Sequence, residues 1–96
     1  LFLVYLFTLS FVLILPAFAQ EEIEPRDPIA YFNKGQDAHE KGDLETALKF
    51  YDEAIKILPE FPEAEYQRGM AFIQMGKPAE AEKAFRRALE IREDWT

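Results

Sequence analysis

A repeat constrains this chain more than any other feature. Sliding the sequence against itself by 34 residues lays Pro28 on Pro62, Ala30 on Ala64, Gly35 on Gly69 and Gly42 on Gly76. The same shift lays Ala47 on Ala81, Lys49 on Lys83, Ala54 on Ala88 and Ile57 on Ile91, with Tyr51 on Phe85 and Ile55 on Leu89. The coincident positions are mostly glycines, small residues and apolar residues, the types that close packing dictates. A period of about 20–50 residues marks a stack of supersecondary units, each too small to bury its own apolar face.

The units read as helical hairpins. Leu44, Ala47, Leu48, Tyr51, Ala54, Ile55 and Leu58 fall three or one apart, one apolar stripe on a helix. Ala81, Ala84, Phe85, Ala88 and Leu89 repeat that stripe, while Phe32, Gly35 and Ala38, then Tyr66, Gly69, Phe72 and Ile73, mark the partner helices. Lys41-Gly42-Asp43 and Met75-Gly76-Lys77-Pro78 are tight breaks, since glycine permits a left-handed helix end and Asp43 or Pro78 suits a helix start. Gly35 and Gly69 lie inside helices, where each costs about 1 kcal/mol against alanine. Close helix approach, with Tyr51 or Phe85 filling the adjacent space, is the expected compensation. The expected fold is all-α: two stacked antiparallel helix-turn-helix units forming a fragment of an α-solenoid.

In these residues the sequence resembles the tetratricopeptide repeat family. The family's pattern is met by Gly35, Ala47, Tyr51, Ala54 and Pro59 in the first copy and by Gly69, Ala81, Phe85 and Ala88 in the second. The resemblance covers residues 28–95 and divides them into a first repeat, 28–61, and a second, 62–95. Departures are Ala38 in place of an aromatic, which Phe72 restores, Glu93 in place of the closing proline, and Lys34 and Arg68 before the glycines. Two repeats fall short of the three or so that bury a continuous core. Asp94-Trp95-Thr96 stands in register with Glu60-Phe61-Pro62, so the end reads as the lead-in to a further repeat, or as a face that pairs with another protomer.

The first nineteen residues have a different character. No charge occurs in residues 1–19; an apolar run, 1–15, ends at Pro16, and Ala17-Phe18-Ala19 precedes Gln20. This is the layout of a secretory signal peptide, cut between Ala19 and Gln20 with small residues at Ala17 and Ala19. Fifteen residues are short of the roughly 20 a stable span needs. A basic leading stretch and an initiating Met are expected to precede Leu1. Retained, residues 1–15 would instead anchor the chain in the membrane; a buried core helix is the least favoured reading. Residues 20–27 read as a polar spacer.

All charges lie from Gln20 onward and sum to −7, which disfavours a phosphate-tracking nucleic-acid surface. The chain has no cysteine, which removes disulfides, thiolate metal sites and cysteine nucleophiles. His39 is the single histidine, and its acidic neighbours Asp37 and Glu40 do not share its helix face. The adjacent carboxylates Glu21 and Glu22, and Asp52 and Glu53, lack the buried surroundings that separate two pKa values. Glu45–Lys49 and Glu82–Arg86 are ordinary pairs on helix faces. No phosphate-cradling glycine loop or nucleophile elbow is present. The sequence therefore names no catalytic residue, cofactor or metal.

What remains is surface. The resemblance implies a concave face lined by Phe32, Gln36, His39 and Glu40 from the first repeat and Tyr66, Met70, Ile73 and Gln74 from the second. Aromatic, thioether and amide groups suit an extended or helical peptide. With no Lys or Arg among them, they do not form a cationic clamp. The competing reading is that several of them pack on a neighbouring helix or a further repeat. The expected function is an exported protein-interaction scaffold whose leader meets the membrane only during export. The alternatives are a docking segment of a longer exported enzyme, or a membrane-anchored structural protein that self-associates through its open repeat ends.

Overall fold

Proline starts three of the helices. The computed structural model describes residues 27–94, which form α1 (Pro28–Glu40), α2 (Leu44–Ile57), α3 (Pro62–Gln74) and α4 (Pro78–Asp94). The apolar leader with Ala17, Ala19 and Gln20, the spacer up to residue 26, and Trp95 lie outside the described residues. Proline suits a first helical turn because its absent N–H has no partner there and its φ is already helical. The Asp27 carboxylate accepts from the backbone N–H of Ile29 and Ala30, and Asp43 accepts from Thr46, so α1 and α2 begin with side-chain caps. Phe61, at the cap position of α3, makes no such bond, because its ring is turned into the core instead.

Both hairpin turns use the same glycine device. Gly42 has φ +80° and Gly76 has φ +74°, the left-handed conformation that costs glycine nothing. Around Gly42 the N–H groups of residues 42 and 43 donate to the carbonyls of His39 and Ala38, a reverse pair that satisfies the helix end. The N–H groups of Gly76 and Lys77 bond Ile73 and Phe72 in the same way. The end of α2 differs. Pro59 pushes its predecessor out of the helical region, and Leu58 is 40% exposed with φ −126° and ψ 89°. Leu58 therefore falls off the α2 stripe on which its spacing had placed it. With Glu93 where Pro59 would recur, α4 runs on to Asp94, three residues past the register of Ile57.

Alanine sets the closeness of the stack. Ala47, Ala54, Ala64, Ala71 and Ala81 are fully enclosed, and Tyr51 and Ile91 are the largest side chains removed from solvent. Enclosing a ring such as Tyr51 contributes roughly 1.5–3 kcal/mol. Ala38, Ala47 and Tyr51 form one cluster with Phe32 against it; Ala54, Phe61 and Ala64 form the next, backed by Tyr31, Phe32 and Ile55. Each helix packs chiefly on its neighbours in sequence: α1 on α2, α2 on α3, α3 on α4. The described residues are thus all-α, two hairpins stacked through α2 and α3.

The cations that precede the helix glycines serve packing. The Lys34 ammonium sits 5.8 Å from the ring centres of both Tyr31 and Phe50. The Arg68 guanidinium lies 5.4 Å over Phe72 while Nε bonds the Asp52 carboxylate at 2.6 Å, joining α3 to α2. A large residue is kept at that position in each copy, with a charge added to its tip.

Candidate functional site

One face of α1 and one face of α3 converge on an open groove of about 420 Å³, lined by Gln36, His39, Glu40, Tyr51, Tyr66, Gln67, Met70 and Gln74. Its floor is organised by His39. One ring nitrogen, Nδ1, lies 3.0 Å from the Tyr51 hydroxyl, and the other, Nε2, lies 3.1 Å from Gln74 Oε1. The Gln74 carbonyl oxygen can only accept, so Nε2 donates to it, and Nδ1 pairs with the Tyr51 hydroxyl. His39 thereby ties α2, through Tyr51, to α3, through Gln74. Both nitrogens are occupied, which makes it a strut rather than a metal ligand. Among the described residues no group of three His, Cys, Asp or Glu side chains is placed to hold a metal.

The hydroxyl at the bottom of this groove is held neutral. Burial, with the nearby Glu40 charge adding to it, pushes the Tyr51 phenol up to about 12. Glu40, exposed at the mouth, is the one carboxylate in the lining. The surface thus offers amide hydrogen bonds, a thioether and two phenol rings, with a single negative charge at one side.

Of the eight residues expected on the concave face, Gln36, His39, Glu40, Tyr66, Met70 and Gln74 line this groove. Phe32 does not: its ring packs on Tyr51 and Phe61, and its edge reaches a neighbouring trough of about 790 Å³. Ile73 is 50% exposed and borders a third hollow, of about 390 Å³, formed with α4. Ile73 is in register with His39, but His39 has α3 as its downstream neighbour, and no described helix follows α4. Gln67 was not foreseen, although Glu63, Gln67, Met70 and Gln74 are spaced four, three and four apart, a helical stripe that would have found it.

A second unforeseen residue lies behind the groove. Glu65 is buried, 6% exposed, and burial raises its carboxyl above the ordinary range, against the pull of Arg68 at 3.5 Å. Its counterpart in the first hairpin is Tyr31, so the repeat pattern carried no sign of a buried acid there.

Family models agree with this architecture. The tetratricopeptide repeat model matches residues 62–94, and a second model, described as a TPR repeat, matches residues 35–76. A protein of Methanocaldococcus jannaschii is 32% identical over 66 residues, which span 69% of this chain and 77% of that one. The chain belongs to the tetratricopeptide repeat family. As a tetratricopeptide repeat protein it also resembles the crystal structure of MamA, with a TM-score of 0.73 and 31% identity over 74% of this chain. The human and mouse protein O-mannosyl-transferase TMTC3 share 40% identity with 48 of its residues. The tetratricopeptide repeat chain spans 42% of MamA and 5% of TMTC3. Repeats of this family suggest a protein–protein interaction scaffold.

Proposed function

We propose that the chain is an exported scaffold that holds a peptide segment of another protein along the groove between α1 and α3. The observation that carries this reading is the His39 strut. By joining Tyr51 to Gln74 it fixes the two groove-lining helices before any ligand arrives. A preorganised surface loses little conformational entropy on binding. The amides of Gln36, Gln67 and Gln74 supply backbone-directed hydrogen bonds, and Met70 and Tyr66 supply apolar contact. Glu40 at the mouth favours a peptide with a basic residue at that end. The acidic chain as a whole disfavours nucleic acid as the partner.

A displayed peptide library selected on the whole chain tests the groove. Selected peptides are expected to lose binding on Met70→Lys and on Gln36→Ala; binders indifferent to both changes would place recognition elsewhere. Export is tested with the native leader in an export-competent host. A mature chain beginning at Gln20 in the soluble extracytoplasmic fraction is the expected result. A leader retained in the membrane fraction makes residues 1–15 an anchor, and an uncut cytoplasmic product ends the proposal of export.

A second reading is that these hairpins dock substrates for a longer exported enzyme. The likeness to a short stretch of TMTC3, a protein O-mannosyl-transferase, supports it. A reading frame that continues into a domain without repeats would favour this reading over a free-standing scaffold.

A further inference from the structure

The groove between α1 and α3 is built in two rungs. Gln36 and Glu40 are four residues apart on α1, Met70 and Gln74 are four apart on α3, and the 34-residue register pairs Gln36 with Met70 and Glu40 with Gln74. All four line the hollow of about 420 Å³. Four residues of helix rise about 6 Å, which sets the distance between the rungs. Alternate side chains of an extended chain face one way and lie about 6.6 Å apart, a close match. The 3.1 Å bond from His39 to Gln74 closes the floor between α1 and α3. A ligand helix about 10–12 Å across does not sink between helices whose side chains already meet, whereas an extended segment lies along the rungs. The rungs also differ in charge. Glu40 ends α1 and Gln74 ends α3, so the carbonyl ends of two helices stand side by side at one rung. The Glu40 carboxylate there is exposed and pairs with no cation among the described residues. No Lys or Arg lines the groove, Lys41 included, and the last turn of α3 holds no basic residue.

We propose that the groove takes an extended segment of a partner protein in which a cationic side chain stands two residues from an apolar one. This rests on the reading of the groove as a peptide holder and adds the pattern that it selects. The cation seats at the Glu40–Gln74 rung and donates to the Glu40 carboxylate. The Gln74 amide oxygen accepts from His39 and keeps a second lone pair for the same cation. Two positions along, the apolar side chain lies against the Met70 thioether. The residue between them points to solvent, because side chains alternate along an extended chain. An acidic side chain at the first rung is repelled by Glu40 and by both helix ends.

The probe is the peptide Gly-Ser-Arg-Ser-Leu-Ser-Gly, blocked at both ends, titrated into the whole isotope-labelled chain and followed by amide chemical shifts. Shifts concentrated at Gln36, Glu40, Met70 and Gln74 are expected. A peptide with glutamine in place of its arginine should bind about three- to fivefold more weakly, the range of an exposed ion pair. Glu40→Gln in the chain should remove that difference. Glu40 is exposed, so its replacement leaves the fold intact, which circular dichroism checks. A third peptide places the leucine four residues from the arginine, the spacing of a helical ligand, and should also bind more weakly. Equal binding of the arginine and glutamine peptides, a difference that persists in Glu40→Gln, or tighter binding of the third peptide overturns the proposal. Charge-blind binding that still falls on Met70→Lys sinks the pattern alone and leaves the peptide groove standing. No shift at these amides with any of the three peptides also overturns the pattern, and the library selection then judges the groove itself. Shifts of the same amides on Arg26→Gln without peptide give the seat to the chain's own spacer. Shifts on concentrating the chain alone give it to a second copy. Both overturn it.

Discussion

A methyl group on Gly35 would stand 2.5 Å from Cε1 of Tyr51, so the bare glycine backbone and the tyrosine ring share one closed contact between α1 and α2. Gly69 and Phe85 repeat it, with 2.6 Å to Cε1. The helix-weakening glycine and the buried aromatic are two halves of one joint.

The two joints will not respond alike to alanine. Tyr51 is fully enclosed and its hydroxyl is tied to His39, so it has nowhere to move. Gly35→Ala should gain about 1 kcal/mol of helix propensity but lose more to overpacking, a net cost of about 1–2 kcal/mol. Phe85 borders the open trough and can swing into it, so Gly69→Ala should lie close to neutral. Urea denaturation of the two variants checks the order; equal losses would mean that both rings are equally confined.

Removing the strut leaves a buried hydroxyl without its partner. His39→Ala should destabilise the chain by about 1–3 kcal/mol. Tyr51→Phe alone should cost less, and the double variant should fall short of the sum of the single losses. Purely additive losses in a double-mutant cycle would show that the 3.0 Å contact carries no energy.

Tyr51 also sets an alkaline limit. Its folded-state pKa is raised to about 12, so up to pH 10 both folded and unfolded chains hold the proton and stability is unaffected. Between pH 10 and about 12 the unfolded chain releases it first, and stability should fall as pH rises, by roughly 2–3 kcal/mol at the limit. The measurement is stability against pH in wild type and Tyr51→Phe; the phenylalanine variant should lack this slope.

Arg68 holds the acid behind the groove. Arg68→Ala removes the contacts to Asp52 and Glu65 together and leaves the buried carboxylate with the Arg87 charge alone, at a cost of about 2 kcal/mol near neutral pH. Because the Glu65 carboxyl is raised in the fold, the folded chain keeps that proton longer as pH climbs, and stability falls through the window above the ordinary glutamate range. The Arg68→Ala loss should therefore shrink in mild acid, and Glu65→Gln in the same chain should recover most of it. Thermal denaturation at two pH values decides; a loss independent of both would assign the effect to the Arg68–Phe72 stacking instead.

The hairpins were legible in the sequence because packing repeats its residues. The Gly35–Tyr51 and Gly69–Phe85 pairs, the glycine turns and the proline starts all follow from local geometry that each copy must satisfy. The groove was legible only in part. Shifting the first copy's face onto the second assumes that each residue meets the same neighbour, and Ile73 does not, since no described helix faces it as α3 faces His39. Phe32 looked like a ligand contact and is the hinge of the core, because one ring can serve both Tyr51 and Phe61. Glu65 was hidden for the opposite reason: Arg68 and Arg87 offset part of the cost of burying its carboxyl, and no spacing in the sequence reports that.

Packing chiefly between helices adjacent in sequence shapes the order in which the molecule forms and fails. Every main contact closes a short stretch of chain, so folding needs no slow search for distant partners and should be fast for its size. Among the described residues α1 and α4 each pack chiefly on one neighbour, whereas α2 and α3 each pack on two. Amide protons of α1 and α4 should therefore exchange with deuterium ahead of those in α2 and α3, so that the pair of hairpins opens as a seam does, from its outer edges inward.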